Sequence, residues 1–292
     1  MIYSSSRGWL AGVRARQLLI LKKRLESVAA SKSLAPQDKC ELMIGKIDPL
    51  EAAEVVQNKK FVLSPQLHAQ LRACFISQDK LGQIRQIALK SRNKWRRIQA
   101  MISLGASGDL QAIQVLARGL SDQDEDVVYF AMLALGQIKN AQSAKLLLEF
   151  LGKRVYSGYK IVSLLEDFPD LIVPQVIAVT QSGDPFVRFW CLKLLAKFKP
   201  AAYLEMITQL TQDSSADVRS AACECLGETG QPAAKEVLLV CIKDEAWFVR
   251  MRAVRALAKI LKHEALPLIT PLLKDPDLLV RESVKNALSL NH

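Results

Sequence analysis

Aromatic residues make up only 6 % of the 292 residues, histidine occurs three times, and glycine and proline are few and scattered. So few rings argue against a sandwich or barrel, whose strands draw on aromatic and β-branched residues. Abundant Leu, Ala, Ile and Val suit helices packed on helices. No long Gly- or Pro-rich linker is evident. No run of about 18 apolar residues occurs, so no spanning helix is expected in this chain. No cleavable leader is apparent. The histidines His68, His263 and His292 stand far apart, and HExxH, GxSxG, P-loop and dinucleotide signatures are missing. Gly105-Ala106-Ser107-Gly108 reads as a helix–helix turn, not a phosphate cradle. Cys40, Cys74, Cys191, Cys223, Cys225 and Cys241 form no CxxC pair, and several fall in apolar helical stretches. Reduced, buried thiols in a cytoplasmic protein are therefore expected, with no metal and no other cofactor.

What is present is a repeat. Val-Arg pairs recur at Val187-Arg188, Val218-Arg219, Val249-Arg250 and Val280-Arg281, 31 residues apart each time. Seven residues after each Arg comes Leu195, Leu226, Leu257 or Leu288, and the column extends upstream through Leu165, Leu135 and Leu104. A small apolar residue stands four before the Leu at Ala100, Ala131, Cys191, Ala222 and Ala253. Each unit reads as two helices, the first with Val218, Ala222, Cys225 and Leu226 on one face. Asp213, Asp244 and Asp275 precede the next first helix, placed to cap its free N–H groups. A single hairpin of this kind cannot bury its apolar face, so neighbours must stack.

The residues Asp217-Val218-Arg219, Ala222, Leu226-Gly227 and their equivalents resemble the HEAT-repeat family, in its short phycobilisome-lyase-like form, over roughly residues 90–292. The resemblance implies an all-α, right-handed α-solenoid of about seven helical hairpins. It also implies that the Val-Arg helix lines the concave side and that the Arg pairs with a capping Asp. Arg188, Arg219, Arg250 and Arg281 are accordingly read as a structural ladder with Asp213, Asp244 and Asp275. The ladder is interrupted where Val128 and Gly158 occupy the Arg column; drift and a functional site both remain open. The domain reading is a basic amphipathic helix over 1–30, a divergent helical cap over 31–90 and the repeats over 91–292. In the first 90 residues, helices are predicted over roughly 9–30, 37–45, 48–58, 64–76 and 78–90.

Two surfaces stand out. Residues 1–100 hold 19 Lys/Arg against 7 Asp/Glu, a balance of +12, whereas residues 101–292 hold 21 against 22. The basic candidates are Arg14, Arg16, Lys22, Lys23, Arg24, Lys90, Arg92, Lys94, Arg96 and Arg97. Such a charge asymmetry points to an anionic membrane surface or, less favoured, nucleic acid. The second surface is the column after the Arg: Ile98, Tyr129, Tyr159, Phe189, Ser220, Met251 and Glu282, with Trp190 adjoining. Large apolar groups in four successive units form either a greasy groove for a partner or filling between first helices. Ile98, Tyr129, Tyr159, Phe189 and Trp190 are the partner-binding candidates.

The family also contains enzymes. Deoxyhypusine hydroxylase uses several His-Glu pairs to hold two irons; here His263-Glu264 is a single pair, too few for that ligand set. HEAT-like DNA glycosylases use Trp and Asp in a basic cleft. Trp190 and Trp247 invite that comparison, but the repeat region's near-neutral balance opposes it. Nothing identifies a bilin-lyase site. The sequence therefore predicts a non-enzymatic scaffold that binds a protein partner on its concave face. The alternatives are a membrane-surface adaptor, or cytoplasmic part of an anchored protein, docked by its basic N-terminal region, and a lyase- or glycosylase-like enzyme or subunit.

Overall fold

Prolines open three early helices, α1 (Pro36–Cys40), α2 (Pro49–Gln57) and α3 (Pro65–Ser77). A first-turn proline lacks only an N–H that would have no helical partner. The Ser64 hydroxyl accepts from the Leu67 N–H and caps α3. The structure, a computed structural model, describes residues 20–31, 33–57, 63–168, 172–198 and 201–289, and no strand occurs among them. Residues 20–30 are helical, and α1 runs into a π-helical turn over Glu41–Gly45. α4 (Lys80–Lys90) supplies the group that closes that turn. Lys80 is only 2 % exposed, and its Nζ donates to the carbonyls of Gly45 and Ile47 at 2.9 and 3.0 Å. Burial lowers its pKa, against the opposing pull of Glu41 and Asp48. A disulfide joins Cys40 to Cys74, tying α1 to α3. The expectation of six reduced thiols is corrected for this pair: two helices packed side by side bring together sulfurs that lie 34 residues apart. Cys191, Cys223, Cys225 and Cys241 are free and buried, and burial pushes the Cys191 and Cys225 thiols up to about 12.

The described helices fall into two compact units, 1–138 and 139–292. The first continues with α5 (Lys94–Ser107), α6 (Ile113–Gly119) and α7 (Glu125–Gln137). The second holds α8 (Ala141–Leu151), α9 (Gly158–Leu165), α10 (Val173–Val179), α11 (Pro185–Phe198) and α12 (Leu204–Gln209). It ends with α13 (Ala216–Thr229), α14 (Lys235–Cys241), α15 (Trp247–Leu261), α16 (Leu266–Ile269) and α17 (Leu278–Ser289). Within each unit the first helix of one hairpin packs on the first helix of the next: α5 on α7, then α11 on α13 and α13 on α15. This is an all-α solenoid arrangement. Val218, Ala222 and Leu226, with Val249, Ala253 and Leu257, have no exposed surface. Each such Leu or Val contributes about 1.5–3 kcal/mol of apolar burial.

The Leu-Gly motif has a steric cause. A Cβ on Gly105 would lie 2.7 Å from the Cα of Ala134, and one on Gly227 would lie 3.0 Å from the Cα of Ala256. The missing side chains let successive first helices approach closely. Gly108 and Gly230 end α5 and α13 at φ +66° and +68°, a left-handed region where a Cβ is strained. Among the described residues no helix is long and apolar enough to cross a membrane.

Candidate functional site

Four arginines make the same set of bonds. Arg188 donates from Nε and Nη2 to the two oxygens of Asp213, both at 2.8 Å, and from Nη1 to the Ser182 carbonyl at 2.8 Å. Arg219 grips Asp244 at 2.7 and 3.0 Å, and Arg250 grips Asp275 at 2.8 Å twice. In the first unit Arg97 holds Asp122 in the same way, at 2.9 and 2.8 Å. Each second-unit carboxylate has a further task. Asp213, Asp244 and Asp275 accept, through Oδ1, the N–H two residues on, at 2.9, 2.8 and 2.8 Å. They shape the turn entering the next first helix rather than standing at its N-cap. Arg281 meets no carboxylate among the described residues and donates to the carbonyls of Asp275 and Pro276 at 2.6 and 2.9 Å. Burial opposes ionisation of Asp213 and Asp244, but bonds from Arg188 and Arg219 and from backbone N–H groups hold both below the usual carboxylate range. For Asp275 the Arg250 hydrogen bond is the foremost cause. These guanidinium groups have their donors committed, which leaves them poor ligand-binding groups.

The interruption at Gly158 has a physical explanation. A Cβ there would collide with the indole of Trp190, 32 residues on in the next first helix. Trp190 occupies the space that a side chain at 158 would need. Phe189 and Phe186 flank it edge-on, with ring centroids 5.1 and 6.4 Å away. Arg154, at φ +54°, takes over Asp184 at 2.7 Å from the preceding loop, and its guanidinium lies 4.8 Å from the Phe186 ring centre. Tyr159 next door is 67 % exposed. Gly158→Ala should therefore cost about 2 kcal/mol by overpacking. In a Trp190→Ala background the same change should cost under about 0.5 kcal/mol, as a urea-melt double-mutant cycle would show.

The column after the Arg, which allowed either a partner groove or filling between first helices, is unevenly exposed. Ile98 is 4 % exposed and Met251 8 %, because the stacking of one first helix on the next covers that flank. Tyr129, Phe189 and Trp190 are half-buried, and Tyr129 meets Phe130 edge-on at 5.4 Å. The basic surface is also smaller than its residue count. Arg97 is buried in the ladder, Arg96 pairs with Asp48 at 2.7 Å, and Lys94 reaches Asp124 and Asp126, both at 3.2 Å. Lys80, one of the nineteen cations of the first hundred residues, is buried. Arg24 donates to the Leu42 carbonyl at 3.3 Å, and Lys22 lies 4.0 Å from Glu26. Lys23, Lys90 and Arg92 are exposed, while Arg14 and Arg16 lie outside the described residues. Arg97 was misplaced among surface cations although a signal marked it as a ladder residue: it precedes Leu104 by seven, as every ladder Arg precedes its Leu.

A model of HEAT repeats matches residues 83–165 and 204–289, more than half of the chain. Deoxyhypusine hydroxylase of Eremothecium gossypii is 29 % identical over 199 residues, which are 66 % of this chain and 62 % of that enzyme. This chain thus spans less than two thirds of the length of the curated relative that it matches. Among solved structures, Kap121p aligns over 93 % of this chain and 37 % of its own at a TM-score of 0.53 and 13 % identity. The CpcE and CpcF phycocyanin lyase complex of Nostoc aligns over 62 % of this chain and 99 % of its own, with a TM-score of 0.40 and 18 % identity. Similarity to an enzyme corrects the expectation of a non-enzymatic scaffold. Yet among the described residues no three or more His, Cys, Asp or Glu side chains are grouped to hold a metal ion. His68 hydrogen-bonds the Val56 carbonyl at 2.9 Å, and His263 and Glu264 are exposed on a short turn. The described residues do not fit a pair of irons.

Proposed function

The chain belongs to the HEAT-repeat family, and from that premise we propose that it works as a substrate-recognising subunit of an enzyme. Similarity to a hydroxylase over 66 % of the chain, with no cluster of metal ligands among the described residues, carries this reading. The chemistry then depends on groups supplied by a companion chain. The ring cluster of the interrupted repeat is the surface proposed for recognition. Tyr159 is exposed, Phe189 and Trp190 are half-buried, and Arg154 stands beside them. Half-exposed aromatic residues beside an arginine are the composition of a binding hot spot.

The test uses the chain purified from its own cells, alone and with the polypeptides that accompany it. Iron content is measured, and a deoxyhypusine-bearing protein serves as probe, with mass spectrometry reading the gain of one oxygen. The chain alone should carry no stoichiometric iron and yield no product. The activity of the assembled enzyme should fall at least tenfold on Tyr159→Ser or Phe189→Ser, since loss of a hot-spot ring costs about 2 kcal/mol or more. Iron and product from the chain alone would overturn the subunit reading. Undiminished activity in both variants would remove the ring cluster from it.

A further inference from the structure

We propose that the first unit contains a binding site for a small organic anion with an apolar body, in a cavity of about 700 Å3. This inference stands apart from the enzyme reading. The cavity falls within the ~300–1,000 Å3 range of ordinary small-molecule sites. One wall is a face of α3, where His68, Arg72, Phe75 and Ile76 follow one another at helical spacing. Phe75 is buried and Ile76 is 70 % exposed at the rim, and Leu81 of α4 continues the apolar surface. The opposite wall is formed by the end of α5 and by Gln137 at the end of α7. A Cβ on Gly105 would come within 2.6 Å of the Gln137 Oε1, so the glycine leaves that amide room at the cavity edge.

Charge points to the ligand. No Asp or Glu lines the cavity. Elsewhere in this unit Arg85, Lys94, Arg96 and Arg97 each face a carboxylate. Arg72 makes no ion pair or hydrogen bond among the described residues, although it lines a cavity. His68 donates from Nε2 to the Val56 carbonyl, which makes Nδ1 of the neutral ring an acceptor and leaves the anion to Arg72. A guanidinium facing no acid, beside phenyl and alkyl walls, suits a carboxylate or phosphate joined to an aliphatic or aromatic body.

The probe is 8-anilinonaphthalene-1-sulfonate, titrated by fluorescence into the full chain. Saturable binding of one equivalent is expected. Arg72→Gln should weaken it at least tenfold, with an unchanged melting temperature because Arg72 is exposed and bonds none of the described residues. Ala106→Trp, which fills the cavity from an exposed position on α5, should abolish it. Arg118→Gln, an exposed cation of the same unit outside the cavity, should leave it unchanged. Decanoate and decyl phosphate should displace the probe, the better of the two identifying the headgroup, and decanol should be at least tenfold weaker. Absence of saturable binding, full binding by Arg72→Gln or Ala106→Trp, or equal displacement by decanol would each overturn the site.

Discussion

Arg219→Ala is expected to destabilise the second unit by about 3–5 kcal/mol, the cost of breaking a buried ion pair from one side. The Arg219 and Asp244 side chains are each 12 % exposed, and the fork bonds both carboxylate oxygens and the Asp213 carbonyl. Truncation leaves Asp244 without its partner while its Oδ1 still shapes the turn at Ala246. The fall in melting temperature should be about 6–20 °C for a unit of this size. Arg219→Lys should recover little, because an ammonium cannot reproduce a bidentate fork. Arg281→Ala, which among the described residues bonds only carbonyls and leaves no buried carboxylate behind, should cost less, about 1.5–3 kcal/mol. The ladder also sets an acid limit. Asp213, Asp244 and Asp275 have folded-state pKa values below their ordinary ones. Their stabilisation is therefore present above the usual carboxylate range, about pH 4, and is lost as pH falls through the depressed values. Melts between about pH 6 and pH 2 should show the decline, and Arg219→Ala should show a smaller one because Asp244 no longer contributes. An unchanged acid profile in that variant would contradict this account.

Lys80→Met should destabilise the first unit by about 2–4 kcal/mol. Methionine keeps most of the buried stem but leaves the Gly45 and Ile47 carbonyls without the donor that now meets both. Charge-assisted bonds contribute about 1.5–3 kcal/mol each, and relief from burying an ammonium offsets part of their loss. Hydrogen exchange should localise the effect, with faster exchange over 41–47 and little change over 216–289. Near-native stability would mean that water replaces the ammonium at those carbonyls.

The 31-residue spacing of Val, Arg and Leu determined the hairpins of the repeat region, whereas the steric reason for the Leu-Gly pairs came only from the structure. The hairpins are legible because in a repeat array each unit touches chiefly its neighbours, so structure follows a period along the chain. Asp48-Pro49 and Ser64-Pro65 likewise stand at the starts of α2 and α3, where a first-turn proline fits. Arg97 was legible too, through its distance from Leu104, but a count of charges concealed it. The partners of the other cations were not legible. Arg96 meets Asp48 from 48 residues away, and only the packing of α5 against α2 brings them together. A run of basic residues records charge but not which helix face carries each one, and so paired cations were counted as free surface. Gly158 allowed either drift or a functional site until the structure set it against Trp190, and Cys40 met Cys74 only when α1 and α3 were packed. The column of rings had the right spacing for a strip, yet the stacking of first helices covered Ile98 and left Tyr159 exposed. Periodicity along the chain determined which helices form, whereas tertiary packing decided which polar groups meet, which rings are covered and where a cavity opens.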